Sequence, residues 1–253
     1  MTLALRHTLG LTRRQLLVLW RQPWFVAITL VQPLIWLLLF GSLFKRVVEL
    51  PGFHGGSYIT FLTPGVLIMS ALFAGGWHGM GYIDAMNQGI LDRYLVSPMW
   101  RGALVSAGFL YGAVVILVQS LILVGVAFAD GAHFSFGSIV AMIVLAVLLG
   151  GGVAALSDAL ALVARQEETL IGAVQFVILP ATFLSSGMMA ANLLPGWIHD
   201  IARFNPVNWA VVGARAGSSD WGMVGTRAGL LAVLLIACAA LATRAIRVYQ
   251  RAV

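Results

Sequence analysis

The feature that most constrains this chain is a series of apolar runs, each long enough to cross a bilayer. They occupy residues 24–44, 58–80, 102–128, 137–163, 169–189 and 227–243, with short polar segments between them. Crossing the hydrocarbon core takes about 20 apolar residues. Lipid offers no partner for backbone amides and carbonyls, so such runs must be helices. The expected fold is therefore all-α integral membrane, with six transmembrane helices in one domain, 1–253. Composition agrees: 60% of the 253 residues are hydrophobic and 9% are charged, against about 25% charged in soluble domains. Pro33 and Pro180 should bend the first and fifth spans. Gly75-Gly76 and Gly150-Gly151-Gly152 would let helices approach closely.

Two polar segments depart from simple loops. Residues 1–22 place Arg6, Arg13, Arg14 and Arg21 on one side of a helix, with Leu5, Leu9, Leu16, Leu19 and Trp20 on the neighbouring side. A helix of this kind lies in the interface with its arginines toward anionic headgroups. Residues 82–98 form a second amphipathic helix. Ile83, Met86, Ile90, Leu91 and Leu95 make one face and Asp84, Asn87, Gln88, Asp92 and Arg93 the other, with Ser97-Pro98 as its stop. Held between two spans, this helix is either a handle that a cytoplasmic protein could grip or a loop helix lying on lipid.

The pI near 10.2 does not point to nucleic acid, because the basic residues sit at the ends of apolar runs. With the amino terminus inside, ten arginines fall on the cytoplasmic side (6, 13, 14, 21, 93, 101, 165, 244, 247, 251) and five basic residues outside (45, 46, 203, 215, 227). The positive-inside rule then places both termini and the handle helix in the cytoplasm, in a multi-pass protein of the cell membrane.

Several chemistries are unsupported. The single lysine, Lys45, is not part of a GxxxxGK[ST] phosphate loop, so the chain carries no ATPase motif. His7, His54, His78, His133 and His199 form no metal-ligand spacing, and no metal or cofactor of its own is expected. Ser185-Ser186-Gly187 has no acid and histidine nearby in sequence, so no catalytic residue is assigned. Cys238 is the only cysteine. Asp158, near the end of the fourth span, is expected to be solvated or paired with Arg165. An absence of charge at mid-span argues that energy comes from outside the chain.

Ser185-Ser186-Gly187 at the end of the fifth span, Leu194-Pro195-Gly196-Trp197, Asn205-Pro206 and Arg215 together resemble the carboxy-terminal signature of type 2 ABC exporter permeases. Gly89-Ile90-Leu91-Asp92-Arg93-Tyr94-Leu95-Val96-Ser97-Pro98 is similar to that family's coupling segment, and the arginine-rich first helix to its connecting helix. Daunorubicin-resistance-type drug-export permeases are the nearest subgroup in appearance. The resemblance covers nearly the whole chain. It implies a permease subunit without ATPase activity, a partner ABC ATPase that binds ATP and Mg, and a second permease copy or paralogue.

It also implies roles for residues. Asp84, Gln88, Gly89, Asp92, Arg93, Ser97 and Pro98 would couple to the ATPase. Arg6, Arg13, Arg14 and Arg21 would lie on the connecting helix. Residues 190–226 would form short outer re-entrant helices, and Ser186, Gly187, Pro195, Trp197, Asn205, Pro206 and Arg215 would make an outer motif. Phe61, Met69, Phe73, Trp77, Gln175, Phe176, Thr182 and Phe183, on the second and fifth spans, would face a translocation path. The expected cargo is a drug or another amphipathic small molecule. Export of a lipid, glycolipid or polysaccharide, or a non-transporting membrane assembly or sensor role, are the alternatives.

Overall fold

The computed structural model of the chain describes residues 3–21, 24–44, 57–96, 102–188 and 195–252. Their regular structure is α-helical throughout, in the order α1 (Leu3–Arg21), α2 (Trp24–Leu43), α3 (Tyr58–Gly76), α4 (Met80–Asn87), α5 (Ile90–Val96), α6 (Gly102–Ala129), α7 (Phe136–Ala164), α8 (Glu167–Phe183), α9 (Gly196–Ala202), α10 (Pro206–Ala216) and α11 (Trp221–Ala252). Among these residues, five stretches are long and apolar enough to cross a membrane: Val26–Leu43, Tyr58–Asn87, Gly102–Ala129, Phe136–Ala164 and Trp221–Gln250. The expected fifth span, 169–189, is represented by α8. This helix has 17 residues, opens on Glu167 and Glu168 and contains Pro180. At 1.5 Å per residue it is about 26 Å long, short of a full crossing on its own.

α7 is the centre of the bundle, with α3, α6, α10 and α11 packed on it. Met142, Leu145 and Leu149 on α7 are fully buried. The α3–α7 crossing is a backbone contact: a Cβ at Gly75 would collide with the Gly150 carbonyl oxygen. The peripheral helices turn apolar side chains outward, including Ile28, Ile35 and Leu39 on α2 and Val233 and Ile236 on α11. Such surfaces suit hydrocarbon, which satisfies them without the hydrophobic penalty that water would impose.

The bundle has two dissimilar ends. α3 starts at one, where the Tyr58 hydroxyl donates to the Met188 carbonyl, and finishes at the other, where the Gly79 amide meets Ser157 near the end of α7. α4 and α5 therefore lie at the opposite end of the molecule from α10. α1 and the far end of α11 reach the α5 end, through Arg14 on Tyr94 and through Tyr249 on Asp92.

Three expectations are corrected. The single helix over 82–98 is two helices, α4 and α5, parted at Gln88-Gly89. Gly89 has φ +64° and its amide bonds back to the Met86 carbonyl, the left-handed closure for which glycine is suited. Ser97 and Pro98 lie outside the described residues. The last helix runs from Trp221 to Ala252, past both ends of the expected span 227–243, and so carries Arg244 and Arg247 on its surface. Asp158 is neither solvated nor paired with Arg165: it is 3% exposed and bonded to His78.

Candidate functional site

The first functional region is the elbow formed by α4 and α5. α3 stops at Gly76, the chain turns through Trp77-His78-Gly79, and α4 restarts at Met80. Two polar bolts hold this turn to α7. His78 Nδ1 and Asp158 Oδ1 are 2.7 Å apart, with side-chain exposures of 11% and 4%. Immediately before Asp158, the Ser157 hydroxyl donates to the Gly76 carbonyl and accepts from the Gly79 amide at 3.1 Å. Gly108 on α6 makes room for the histidine, since a Cβ there would lie 2.9 Å from His78 Cε1. An acidic side chain inside a membrane domain is tolerable when it is paired and hydrogen-bonded, and this pair meets both conditions.

α5 is tied to other elements. Tyr249 on α11 donates to Asp92 Oδ1 at 3.2 Å. Arg165 lies 4.8 Å from the centre of the Tyr249 ring, in a cation–π arrangement. Arg165 thus closes α7 with φ +54° and stacks on α11 rather than reaching Asp158. Arg14 on α1 hydrogen-bonds the Tyr94 hydroxyl. Of the residues assigned to coupling, Asp84, Gln88 and Arg93 are exposed, Gly89 is half-buried at the break, and Asp92 is half-buried on Tyr249. Behind them Ile83 and Leu91 are buried, and Met86 and Ile90 half-buried. The elbow is thus seated on the bundle by apolar side chains and offers polar ones outward. The α1 arginines 6, 13, 14 and 21 are all exposed, while Thr8 and Thr12 are buried in the same helix.

The second region, at the opposite end, is built from the outer motif. α8 ends at Phe183, which leaves its last carbonyls without helical partners. The Ser185 hydroxyl donates to the Thr182 carbonyl at 2.7 Å, Asn205 serves the carbonyls beside it, and Arg215 serves two in the segment that follows. Asn205 Nδ2 donates to the carbonyls of Ala181 and Leu184 at 2.7 and 2.9 Å, while its Oδ1 caps α10 by accepting from the Val207 amide. Pro206 follows at the first helical position of α10, where a missing amide costs nothing. Arg215 then donates from Nη1 to the Ser186 carbonyl at 2.6 Å and from Nη2 to the Gly187 carbonyl at 2.8 Å. Its Cζ lies 3.7 Å from the centre of the Phe61 ring. Burial lowers the Arg215 pKa to about 10, which leaves the guanidinium charged at neutral pH.

Asn208 joins the same clamp. Its Oδ1 accepts from the amide and hydroxyl of Ser186 at 3.0 and 2.7 Å. Gly187 passes so close to α3 that a Cβ at Gly65 would collide with its carbonyl oxygen, and Met69 lies against it. Ser186, Gly187, Asn205, Pro206 and Arg215 are therefore one clamp, holding the end of α8 to α3 and α10. Pro195 and Trp197 are exposed at the start of α9 and take no part in it.

The eight residues assigned to a path divide between surroundings. Phe61 and Met69 belong to the clamp. Phe73 packs against the core and Trp77 is half-buried at the end of α3. Thr182 is buried and its hydroxyl has no partner among the described residues. Gln175 is half-buried, whereas Phe176 and Phe183 are 81% and 60% exposed on α8. His78, Ser157, Asn208 and Tyr249 were not singled out from the sequence as functional. Asp158 was a signal for one of them: a buried acid requires a partner, and His78 is the histidine at the matching depth of the second span.

A family model described as "ABC-2 type transporter" matches residues 6–218. Similar curated proteins include ycf38, described as a transport permease, of Porphyra purpurea, 27% identical over 81% of this chain and 72% of that protein. They include the daunorubicin resistance ABC transporter permease protein DrrB1 of Streptomyces coeruleorubidus, 27% identical over 73% of this chain and 65% of that protein. The inner membrane transport permease YadH of Escherichia coli strain K12 is 27% identical over 75% of each chain. With a match spanning both the elbow and the clamp, the chain belongs to the ABC-2 type transporter permease family.

Proposed function

We propose that the chain is the membrane subunit of an ATP-driven exporter that moves drugs or other amphipathic small molecules out across the cytoplasmic membrane. The observation that carries this reading is the family match over residues 6–218, joined to relatives named as drug-resistance permeases. In this reading ATP and Mg are bound by a separate ABC ATPase, and two permease copies, identical or paralogous, form the transporter. α8 makes the fifth of six passes, completed by the residues just beyond Phe183. The elbow end is cytoplasmic, in keeping with the ten-to-five bias of basic residues and with the gathering of α1, α5 and the end of α11 there.

The mechanism follows from the bolts. A groove on the ATPase takes the exposed polar side of α4 and α5, with Asp84, Gln88 and Arg93 at the contact. When the ATPases close, the elbow is displaced. The displacement passes from α4 into α7 through His78–Asp158 and Ser157, and from α5 into α11 through Asp92–Tyr249. At the far end the clamp makes α8 follow α3 and α10. Phe176 and Phe183 on the exposed side of α8 are positioned to meet cargo or the second copy.

Lipid export by the same architecture is the second reading. It is favoured by one observation, a basic cavity beside the clamp described below. The test is transport in inverted membrane vesicles containing the chain and its ATPase. ATP-dependent uptake of daunorubicin, absent without either subunit, supports the drug reading. Movement of a fluorescent phospholipid in place of daunorubicin supports the lipid reading. ATP-dependent movement of neither, by an assembled complex, contradicts both.

A further inference from the structure

Three of the arginines on the α10 side of the protein, Arg203, Arg215 and Arg227, run against the positive-inside bias, so each calls for a local reason. Arg215 has one in the clamp. Arg203, at the end of α9, and Arg227, in the second turn of α11, do not. The two border a single cavity of about 310 Å³, with Ser186, His199, Asn208 and Trp209 also on its wall. No carboxylate lines it. Neither guanidinium has an acceptor partner among the described residues, whose one ion pair is His78–Asp158.

The other polar groups of the wall are already engaged. Trp209 Nε1 donates to the Arg203 carbonyl at 2.6 Å. The Asn208 amide donates to the Ala202 carbonyl, and its oxygen accepts from Ser186. What remains unspent is two guanidinium forks and an imidazole. Arg227 is half-buried, with its stem against Gly213, so part of its hydration is lost without an acceptor in exchange among the described residues. Forks of this kind pair bidentately with phosphate or carboxylate. At the same end of the protein, Trp197 in α9, Phe204 next to Arg203 and Trp221 at the start of α11 are 62%, 81% and 55% exposed, and tryptophan is enriched where a membrane meets water.

We propose that this cavity binds the phosphate group of an anionic amphiphile, the headgroup of an acidic phospholipid, with Arg203 and Arg227 as its ligands. The lipid's leaflet rests on the orientation given under the proposed function; the binding site itself does not. A phosphate here would sit next to Ser186 and Asn208, and so against the clamp that holds the end of α8. An amine drug would meet two like charges at this point, whereas an acidic lipid would be retained.

The test is native mass spectrometry of the full chain in detergent, titrated with short-chain phosphatidylglycerol, phosphatidylcholine or inorganic phosphate. It needs neither an ATPase nor transport, so its failure is separate from failure of the exporter reading. For the wild type, phosphatidylglycerol is expected to bind most tightly. Arg203→Gln with Arg227→Gln should weaken it about tenfold or more, the scale of a lost charge-assisted pair, while Arg203→Lys with Arg227→Lys retains part of the affinity. Arg244→Gln, exposed on the far stretch of α11 at the other end of the molecule, should leave the tightest site intact. If the double variant is unstable, Arg203→Gln alone, at an exposed position, reads the same effect. Unchanged phosphatidylglycerol affinity in the glutamine variants overturns the site. Inorganic phosphate or phosphatidylcholine binding as tightly as phosphatidylglycerol overturns the assignment to an acidic lipid.

Discussion

His78 Nδ1 lies 2.7 Å from Asp158 Oδ1, and this contact joins the turn that leads into the elbow to the central helix of the bundle. Both side chains are nearly closed to solvent. Removing one partner from such a pair costs roughly 3 to 5 kcal/mol, because the other is left buried and uncompensated. Asp158→Ala and His78→Ala should each lower the melting temperature of the detergent-solubilised chain by several degrees. The double variant should cost less than the sum of the two. Strictly additive losses in a double-mutant cycle would show that the pair is not coupled.

Arg215 makes its two carbonyl contacts as a fork, which lysine cannot reproduce. Arg215→Lys keeps the charge and should still destabilise the chain by about 1.5 to 3 kcal/mol, the worth of hydrogen bonds from a charged donor. Asn205→Ala removes a helix cap and two donors to the end of α8, and should cost at least the 1 kcal/mol or so of a lost cap. Thermal unfolding of each variant checks the order. A wild-type melting temperature for Arg215→Lys would mean that charge alone holds the α8 terminus.

Glycine positions separate by what surrounds them. At Gly75 and Gly65 an added methyl meets backbone oxygen, of Gly150 and Gly187 respectively, which cannot yield as a flexible side chain would. Gly75→Ala and Gly65→Ala should therefore force the helices apart and reduce the yield of folded protein. Gly112, in α6, has open space around its Cβ position. Gly112→Ala should be neutral or stabilising by up to about 1 kcal/mol, the helix-propensity gain. Size-exclusion profiles and melting curves of the three variants give the comparison.

The arrangement across the membrane is open to labelling. Cys238 is the only cysteine and is buried, so Cys238→Ala provides a clean background. In sealed cells, Ser218→Cys should react with an impermeant maleimide and Gln88→Cys should not. Labelling of Gln88→Cys from outside would invert the molecule and remove the elbow from reach of any cytoplasmic ATPase.

Much of this architecture was legible in the sequence, because hydrocarbon imposes a length and an apolarity that a run such as 137–163 either meets or does not. The two faces of the elbow were legible too: Ile83 and Leu91 point into the bundle and Asp84 and Arg93 away from it. The break at Gly89 was not, since the apolar spacing continues across it and only the left-handed backbone marks the interruption. The Asp158 partner was missed because proximity in sequence favoured Arg165, seven residues on, over His78, 80 residues back. The motif residues Asn205 and Arg215 were recognisable as a pattern. Their work, completing carbonyls at the end of α8 and in the segment just after it, depends on a fold that brings residue 215 to residue 186.

The central claim is that this chain transmits the energy of a separate ATPase and supplies none itself. The most direct measurement is ATP hydrolysis by the purified chain alone, by the ATPase alone and by their complex in proteoliposomes, with Arg93→Glu as a fourth sample. The account predicts no hydrolysis by the isolated chain and hydrolysis coupled to export only in the complex. With Arg93→Glu, the chain should stay folded but lose coupling or assembly, a surface contact worth about 0 to 1 kcal/mol when fully wet and more as the groove dries it. Sustained hydrolysis by the isolated, contaminant-free chain, or export that is unchanged when the ATPase is omitted, would contradict it.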